Sequence, residues 1–263
     1  MELTNREILD RICAAEREAG DLILHARGVL AECKSGFRDV VTSYDRQIQD
    51  LLIRRFTEIL PDACFFCEEN DRQDNLCAAR VFIIDPIDGT MNFVRGFHHS
   101  CISVALMCSG TVCAGAVYNP YVDEMFSALL GEGAWLNGRP IHVFDGPLSE
   151  SGACVGTAPS QEELTDRSFA LMKAAFLAGL DIRREGSAAL DLCSVAAGRA
   201  GLYFELALSL WDYAAGMLIV QEAGGVCLTA DGEPLSPRPG KASLAAGGKR
   251  ALEDFLRLAR QIP

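Results

Sequence analysis

Residues 81–90, with the sequence VFIIDPIDGT, constrain this chain more than any other stretch, because an apolar segment there turns abruptly polar. Four apolar residues, three of them β-branched, predict a short buried strand. Asp85 and Asp88 then flank Pro86, whose fixed φ angle stiffens the turn. Two carboxylates held that close repel each other unless a cation lies between them. An ordinary turn of Asp, Pro and Gly is the alternative that this stretch alone leaves open.

The donor atoms of this turn indicate which metal it would suit. Carboxylate oxygens, with the backbone carbonyl of Ile87 as a third ligand, favour Mg²⁺ over zinc because Mg²⁺ prefers hard oxygen donors. Gly89 and Thr90 are expected to open a helix, whose free N–H groups favour a phosphate. One turn therefore offers a place for a metal and a place for a phosphate.

Composition and charge restrict the partners and the location of the chain. Its 263 residues fit one large domain or two small ones. A net charge of −12 without a basic stripe argues against nucleic acid as a partner. No apolar run reaches about 18 residues, and the start lacks basic and apolar leader regions, so neither a membrane span nor a signal peptide is predicted. The cytoplasm is the expected location.

The eleven cysteines and the paired histidines are interpreted as packing residues. Without a secretion signal, the cysteines are expected to be reduced thiols, most of them in the core. Cys64 and Cys67 form a Cys-x-x-Cys pair, but a zinc site needs a second ligand pair, and a strand would point these two side chains to opposite faces. His98 and His99 are assigned to loop packing, since neighbours on an extended chain do not easily face one ion.

The N-terminal half is predicted as two helices followed by a largely antiparallel sheet. A capping box at Thr4 and Glu7 opens a first helix that is expected to end near Cys33. A second helix, capped by Thr42 or Ser43, is stopped by Pro61. A polar loop is expected over 70–80. Strands are expected at 64–67, 81–84, 101–108, 111–118, 123–130 and 134–136.

The C-terminal half is predicted as alternating strands and helices after a linker at 145–147, which has the sequence DGP. Strands are expected at 153–155, 202–205 and 242–246. Helices are expected at 161–178, 186–197, 211–224 and 251–261. The predicted division is therefore an α+β half over 1–145 and an α/β half over 146–263.

Two further acidic positions have an ordinary and a functional interpretation. Asp45 falls in the first turn of the second helix, where an acid suits the helix dipole. Glu68 and Glu69 end an apolar strand, as either a solvated turn or a metal ligand with its helper. The residues alone leave both choices open.

Four segments occur in the order and at the separations typical of the inositol monophosphatase family, a group of Mg²⁺-dependent, lithium-sensitive phosphatases. They are Lys34 with 39–45, Glu68 with Glu69, the central 85–93, and 211–216 with 222–225. The likeness extends from about residue 5 to 260. The resemblance implies a layered αβαβα sandwich, which combines the α+β and α/β halves.

The resemblance also implies the ligands of two Mg²⁺ ions. Glu68, Asp85 and the carbonyl of Ile87 would hold the first ion. Asp85, Asp88 and Asp212 would hold the second. Relatives allow a third, weaker ion near Glu68. In this scheme Asp85 bridges the two ions and sets their separation.

The same resemblance assigns the catalytic and substrate-binding residues. Thr90 and Asp45 would orient the attacking water, and Glu68 is counted with them as a catalytic residue. The N–H groups of Gly89 and Thr90 would receive the phosphate. The alcohol portion of the substrate would contact Gly186, Ser187, Ala188 and Glu205.

The function expected from the resemblance is hydrolysis of a small phosphorylated metabolite, with inositol monophosphate as the first candidate. Fructose 1,6-bisphosphate, NADP(H) or another sugar or nucleotide phosphate is the enzymatic alternative. A regulatory binding protein that keeps the fold is the alternative from another class. A homodimer without nucleic acid or membrane is expected. Two residues depart from the family pattern. Cys67 lies beside the acidic motif, and Ser209 lies where a contact with the substrate is expected.

Overall fold

The structure is a computed structural model that describes residues 3–36, 39–69 and 75–262. The side chains of Lys34 and Asp39, which belong to the early segment of the resemblance, lie outside the described residues, as does the 70–74 part of the predicted polar loop. Within the described ranges, no helix combines the length and apolar character that spanning a bilayer requires.

The first helix is capped as predicted but is shorter than predicted. In α1 (Asn5–Leu24), the Thr4 N–H donates to Glu7 at 2.8 Å and the Glu7 N–H donates to the Thr4 hydroxyl at 3.2 Å. The expected end near Cys33 was wrong. Gly28 takes a positive φ, and the chain then forms β1 (Ala31–Gly36), which pairs antiparallel with β2 (Asp39–Thr42). A hairpin therefore supplies backbone hydrogen bonds that further helical turns would otherwise supply.

A seven-stranded sheet follows α2 (Ser43–Ile59). Its order is β3 (Cys64–Cys67), β4 (Arg80–Asp88), β5 (Cys101–Cys108), β6 (Thr111–Asn119), β7 (Glu124–Leu129), β8 (Gly133–Leu136) and β9 (Arg139–Pro140). The β3–β4 pair is parallel and the others are antiparallel. A short helix, α3 (Thr90–Arg95), leaves the end of β4. Cys64 and Cys67 lie in clusters on opposite faces of this sheet, which confirms the predicted alternation.

The second sheet has five strands. Its order is β11 (Ile182–Arg183), β10 (Ala153–Val155), β12 (Leu202–Leu208), β14 (Ala242–Gly247) and β13 (Val226–Leu228). The helices of this half are α4 (Thr165–Ala178), α5 (Ala188–Ala196), α6 (Leu210–Glu222) and α7 (Lys249–Ala259). The predicted boundary at 145–147 falls between the strands of the two sheets. That the two halves are separate domains stays a prediction.

Three apolar clusters join the elements into five layers. One cluster lies between the α1–α2 pair and one face of the seven-stranded sheet. A second, centred on α5 and α6, contacts both sheets, and a third lies between the five-stranded sheet and α4 with α7. Along β4, Phe82 and Ile84 belong to the first cluster, and Val81 and Ile83 to the second. The αβαβα sandwich is therefore confirmed.

The close contact of α6 with the sheet depends on a glycine. A Cβ atom at Gly115 in β6 would lie 3.1 Å from the Cα of Ala215 in α6. Helix α6 carries no polar face, since most of its residues are buried between the two sheets. This packing fixes the position of the first turn of α6, which carries Asp212.

One carboxyl group of α1 is buried without a hydrogen-bond partner. Glu16 is fully buried, and within the described residues neither of its carboxylate oxygens accepts a hydrogen bond. Burial raises the pKa of Glu16 well above its ordinary value. As pH rises, this carboxyl therefore ionises first in the unfolded chain. The free energy of unfolding falls between the ordinary pKa of glutamate and the higher pKa of Glu16 in the folded protein.

Glu16→Gln is expected to stabilise the protein at pH 8, by about 1–3 kcal/mol, because it removes the penalty for an ionisable group in an apolar site. The gain should shrink as pH falls and should vanish below about pH 4, where the carboxyl is protonated in both states. Urea unfolding at several pH values measures it. Glu18→Gln, at an exposed neighbour paired with Arg55, is the matched control. A gain for Glu16→Gln that does not depend on pH would contradict the assignment.

Candidate active site

The Asp85–Asp88 turn is part of strand β4 and contains a bulge. Asp85 pairs with Ser103 and Asp88 with Cys101, so β4 has one more residue than β5 between these two pairs. Residues three apart in a regular strand face opposite sides, and the extra residue changes this alternation. The Ile87 N–H donates to Asp85 Oδ1 at 3.1 Å. Both aspartates are buried.

The predicted metal ligands influence one another electrostatically. Burial raises the pKa of Asp85 well above its ordinary value, and the negative charges of Glu68, Asp88 and Asp212 raise it further. The structure therefore brings together carboxylates from β4, from the end of β3 and from α6.

Asp212 is held by the first turn of α6. The Ser209 N–H donates to Asp212 Oδ2 at 2.6 Å, in a capping box. Burial raises the pKa of Asp212 well above its ordinary value; Lys241 opposes this shift, while Asp88 and Glu68 add to it. Its backbone partner leaves the second oxygen of the carboxylate for another contact.

These groups fit a hard divalent cation. Several carboxylates that repel one another in a partly dry site are costly without a counter-charge. Oxygen donors of this kind are those that Mg²⁺ takes in proteins. The donor set could thus hold Mg²⁺ through Glu68, Asp85, Asp88, Asp212 and the Ile87 carbonyl.

Asp88 is anchored by the start of α5. Its Oδ2 atom accepts a hydrogen bond from the Ser187 hydroxyl at 2.5 Å and from the Ala189 N–H at 2.7 Å. Burial raises the pKa of Asp88 to about 6, against the effect of these two hydrogen bonds. Sequence reasoning missed this contact; the resemblance places Ser187 near the alcohol portion of the substrate, which stays a prediction. Its position as the N-cap of α5 was the available signal.

Asp45 serves as a helix cap and also contacts Thr90. Its Oδ2 atom accepts hydrogen bonds from the Thr42 N–H at 2.8 Å and the Thr42 hydroxyl at 2.6 Å. The Thr90 hydroxyl lies 3.4 Å from Asp45 Oδ1 and 3.0 Å from the Ile87 carbonyl. Asp45 can therefore cap the helix through Oδ2 and contact Thr90 through Oδ1, so the ordinary and the functional interpretation are compatible.

The turn between β4 and α3 requires glycine. Gly89 has a φ of +87°, and a Cβ atom there would lie 3.1 Å from the His99 carbonyl and 3.2 Å from the Gly186 carbonyl. Three segments of the chain thus meet at Gly89. Helix α3 begins at Thr90, directly after the predicted ligand Asp88 and its neighbour Gly89. That this helix start receives a phosphate stays a prediction.

A cavity of about 190 Å³ connects the predicted substrate residues with two of the predicted metal ligands. Its lining includes Asp88, Asp212, Gly186, Ser187, Ala188, Glu205, Arg184 and Lys241. The two cations in this wall were missed by sequence reasoning, because no motif or spacing marks them. They make the cavity suitable for an anionic ligand.

Glu205 lies in this wall with both oxygens engaged. Oε1 accepts a hydrogen bond from the Ala158 N–H at 2.8 Å, and Oε2 accepts one from the Tyr203 hydroxyl at 2.9 Å. A Cβ atom at Gly156 would lie 1.9 Å from Oε2, so a larger residue there would displace the carboxylate. Each oxygen keeps a further lone pair for a ligand hydroxyl.

The chain is similar to known proteins in both sequence and fold. The sequence profile of the inositol monophosphatase family matches residues 4–263. The "Nus factor SuhB" of Vibrio cholerae is 38% identical over 218 residues, which are 81% of this chain and 81% of that protein. The structure of the extragenic suppressor protein suhB from Bartonella henselae has a TM-score of 0.90 at 29% identity, over 97% and 99% of the two chains. The inositol monophosphatase of Anabaena (Nostoc) sp. PCC 7120 has a TM-score of 0.87 at 31% identity, over 99% and 98%.

Asp212→Asn is expected to raise the melting temperature of the metal-free protein by about 2–4 °C, because it removes one repulsive charge and asparagine can still accept the capping hydrogen bond. The same change should remove most of the stabilisation that millimolar Mg²⁺ gives the unmodified protein. Calorimetry with and without Mg²⁺ measures both effects. Asp145→Asn, at an exposed position, is the control. An unchanged response of Asp212→Asn to Mg²⁺ would show that Asp212 is only a cap.

Proposed function

Because the chain belongs to the inositol monophosphatase family, we propose that it is a metal-dependent phosphatase and that an inositol monophosphate is its first candidate substrate. The observation that carries this proposal is the set of mutually repelling carboxylates Glu68, Asp85, Asp88 and Asp212. They adjoin a cavity with cationic and hydrogen-bonding groups. Phosphate ester hydrolysis needs such a site, since the uncatalysed reaction is among the slowest known.

In this proposal two Mg²⁺ ions bind at the carboxylates. One ion would be held by Glu68, Asp85 and the Ile87 carbonyl. The other would be held by Asp85, Asp88 and Asp212. A third, weaker ion near Glu68 is part of the proposal. Bound Mg²⁺ supplies an acidified water and a positive charge for the leaving oxygen. The short hydrogen bonds from Ser187 and Ala189 keep one Asp88 oxygen occupied and orient the other.

The Thr90 hydroxyl and Asp45 are proposed to orient the attacking water and accept its proton. Thr90 lies within reach of Asp45 Oδ1, while the helix cap occupies Oδ2. A proton could therefore pass from water to the Thr90 oxygen as the Thr90 proton passes to Asp45. The N–H groups of Gly89 and Thr90 are proposed to receive the phosphate.

The alcohol side of the substrate is proposed to lie against Gly186, Ser187, Ala188 and Glu205. Carboxylate acceptors suit a polyol because hydrogen bonds from hydroxyls to a charged group are worth about 1.5–3 kcal/mol each. Fructose 1,6-bisphosphate, NADP(H) and other sugar or nucleotide phosphates remain the alternative candidate substrates. The proposal includes a cytoplasmic homodimer that acts without nucleic acid or membrane.

The second candidate function is regulatory binding. The Vibrio cholerae relative is named as a Nus factor, and it is 38% identical to this chain over most of its length. A binding role of that kind would need the fold but not turnover. Assays of the purified chain separate the two candidates.

Phosphate release from a panel of phosphate monoesters with Mg²⁺ is expected to show turnover, with an inositol monophosphate preferred at least tenfold over the sugar and nucleotide phosphates. Excess chelator should abolish the rate because the metal's charge is lost. Asp212→Asn should lower it by more than about a hundredfold, beyond the usual loss for an outer-shell partner. Full turnover in excess chelator would remove the metal-dependent mechanism, and no turnover on any substrate would favour the binding role.

Glu205→Gln is expected to raise KM for a polyhydroxyl phosphate by about tenfold, the equivalent of about 1.4 kcal/mol, because the charged acceptor is lost. It should barely change hydrolysis of a phosphate ester whose leaving group has no hydroxyl. Steady-state kinetics on both substrates measure the difference. Equal losses on both would place Glu205 with the metal site, and no loss on either would remove it from substrate binding.

A further inference from the structure

A second group of possible metal ligands lies outside the predicted Mg²⁺ site. His99, Glu185 and Asp191 each place one ligand atom within 4.8 Å of the other two. His99 Nε2 is 3.3 Å from a carboxylate oxygen of Glu185. Unlike the all-oxygen set around Asp85, this group includes an imidazole nitrogen.

The backbone holds this group in place without any contribution from an ion. The side-chain amide of Asn92 donates hydrogen bonds to the carbonyls of both His99 and Glu185, each at 2.7 Å. Asp191 lies in the first turn of α5, where its N–H donates to the Ser187 carbonyl at 3.0 Å. These hydrogen bonds hold the loop before β5 close to the segment that leads into α5.

Two atoms of the group are buried without a hydrogen-bond partner. Asp191 is only 2% exposed, and its Oδ1 atom accepts no hydrogen bond from the described residues. His99 Nε2 is also buried and has no hydrogen bond to the described part of the chain, although it forms the ion pair with Glu185. A buried carboxylate oxygen without a partner is costly and is a position that a ligand could satisfy.

The nearby arginines form their ion pairs with carboxylates outside this group. Arg183 and Arg199 line the adjoining cavity of about 610 Å³ together with His99 and Glu185. Arg199 pairs with Glu124, and Arg183 pairs with Asp181. Burial raises the pKa of Asp191 well above its ordinary value, and the negative charge of Glu185 raises it further. The open cavity provides a path for an ion from solvent.

We propose that His99, Glu185 and Asp191 bind a transition-metal dication, with Zn²⁺ as the first candidate, at a site separate from the proposed Mg²⁺ site. One imidazole and two carboxylates favour zinc over Mg²⁺, which prefers oxygen ligands. Zinc–ligand bonds are about 2.0–2.2 Å, so the three atoms must move somewhat closer together. His99 and Glu185 can do so, since their side chains are 29% and 36% exposed.

Such an ion would join the loop before β5 to the start of α5. The same turn of α5 carries Ser187 and Ala189, which hold Asp88. The expected role is therefore to stabilise one wall of the active site. The packing role expected for the paired histidines from sequence is kept for His98, which stacks on Tyr121 with ring centroids 5.0 Å apart.

The test is zinc binding by the chelator-stripped full chain in millimolar Mg²⁺, measured by equilibrium dialysis and by calorimetry. The unmodified protein is expected to retain one Zn²⁺ per chain. His99→Ala should weaken zinc binding by more than about a hundredfold, and Glu185→Gln by at least about tenfold, because each loses a direct ligand. His98→Ala, at the neighbouring histidine, and Asp212→Asn, at the proposed Mg²⁺ site, should keep it.

Thermal unfolding gives a second measure that does not depend on activity. Zinc should raise the melting temperature of the unmodified protein and of His98→Ala, but not that of His99→Ala. Three results would overturn the proposal: no zinc bound in the presence of Mg²⁺, equal binding by His99→Ala and the unmodified protein, or zinc that is lost in Asp212→Asn and kept in His99→Ala.

Discussion

The repulsion among carboxylates that meet at the end of β4 is the constraint on which the rest of the site depends. Asp85 and Asp88 are buried, and the charges of Glu68 and Asp212 add to the cost of ionising Asp85. A fold can keep such groups ionised only by directing hydrogen-bond donors at them and by supplying a counter-charge. The donors are present as the N–H groups of Ile87, Ala189 and Ser209.

The five-layer architecture explains how these groups reach one point. Helices α5 and α6 form the middle layer and contact both sheets, so the start of each helix lies beside the end of β4. Ser187 and Asp88 are 99 residues apart in sequence but share a hydrogen bond. The glycine at 115 allows α6 to approach the sheet closely, which fixes the position of Asp212. The core packing and the geometry of the site are therefore set by the same contacts.

Much of this could be predicted from the sequence, because local pattern carried it. Apolar runs indicated β4 and the β5–β6 hairpin correctly, and N-capping residues indicated the starts of α1 and α2. The hairpin over Ala31–Gly36 was missed, since its pairing with 39–42 depends on a contact that the helical periodicity of this region does not reveal. The contact of Ser187 with Asp88 and the cation at Lys241 could not be predicted either. Both depend on chain packing between residues far apart in sequence.

Crystallography with Mn²⁺ in place of Mg²⁺ tests the role of the converging carboxylates most directly, because anomalous scattering locates the ions. If these carboxylates exist to hold cations, two anomalous peaks should lie about 3.5–4 Å apart, with Asp85 between them and Glu68, Asp88 and Asp212 as further ligands. Well-ordered crystals at saturating Mn²⁺ with no peak within bonding distance of Asp85 would contradict this role.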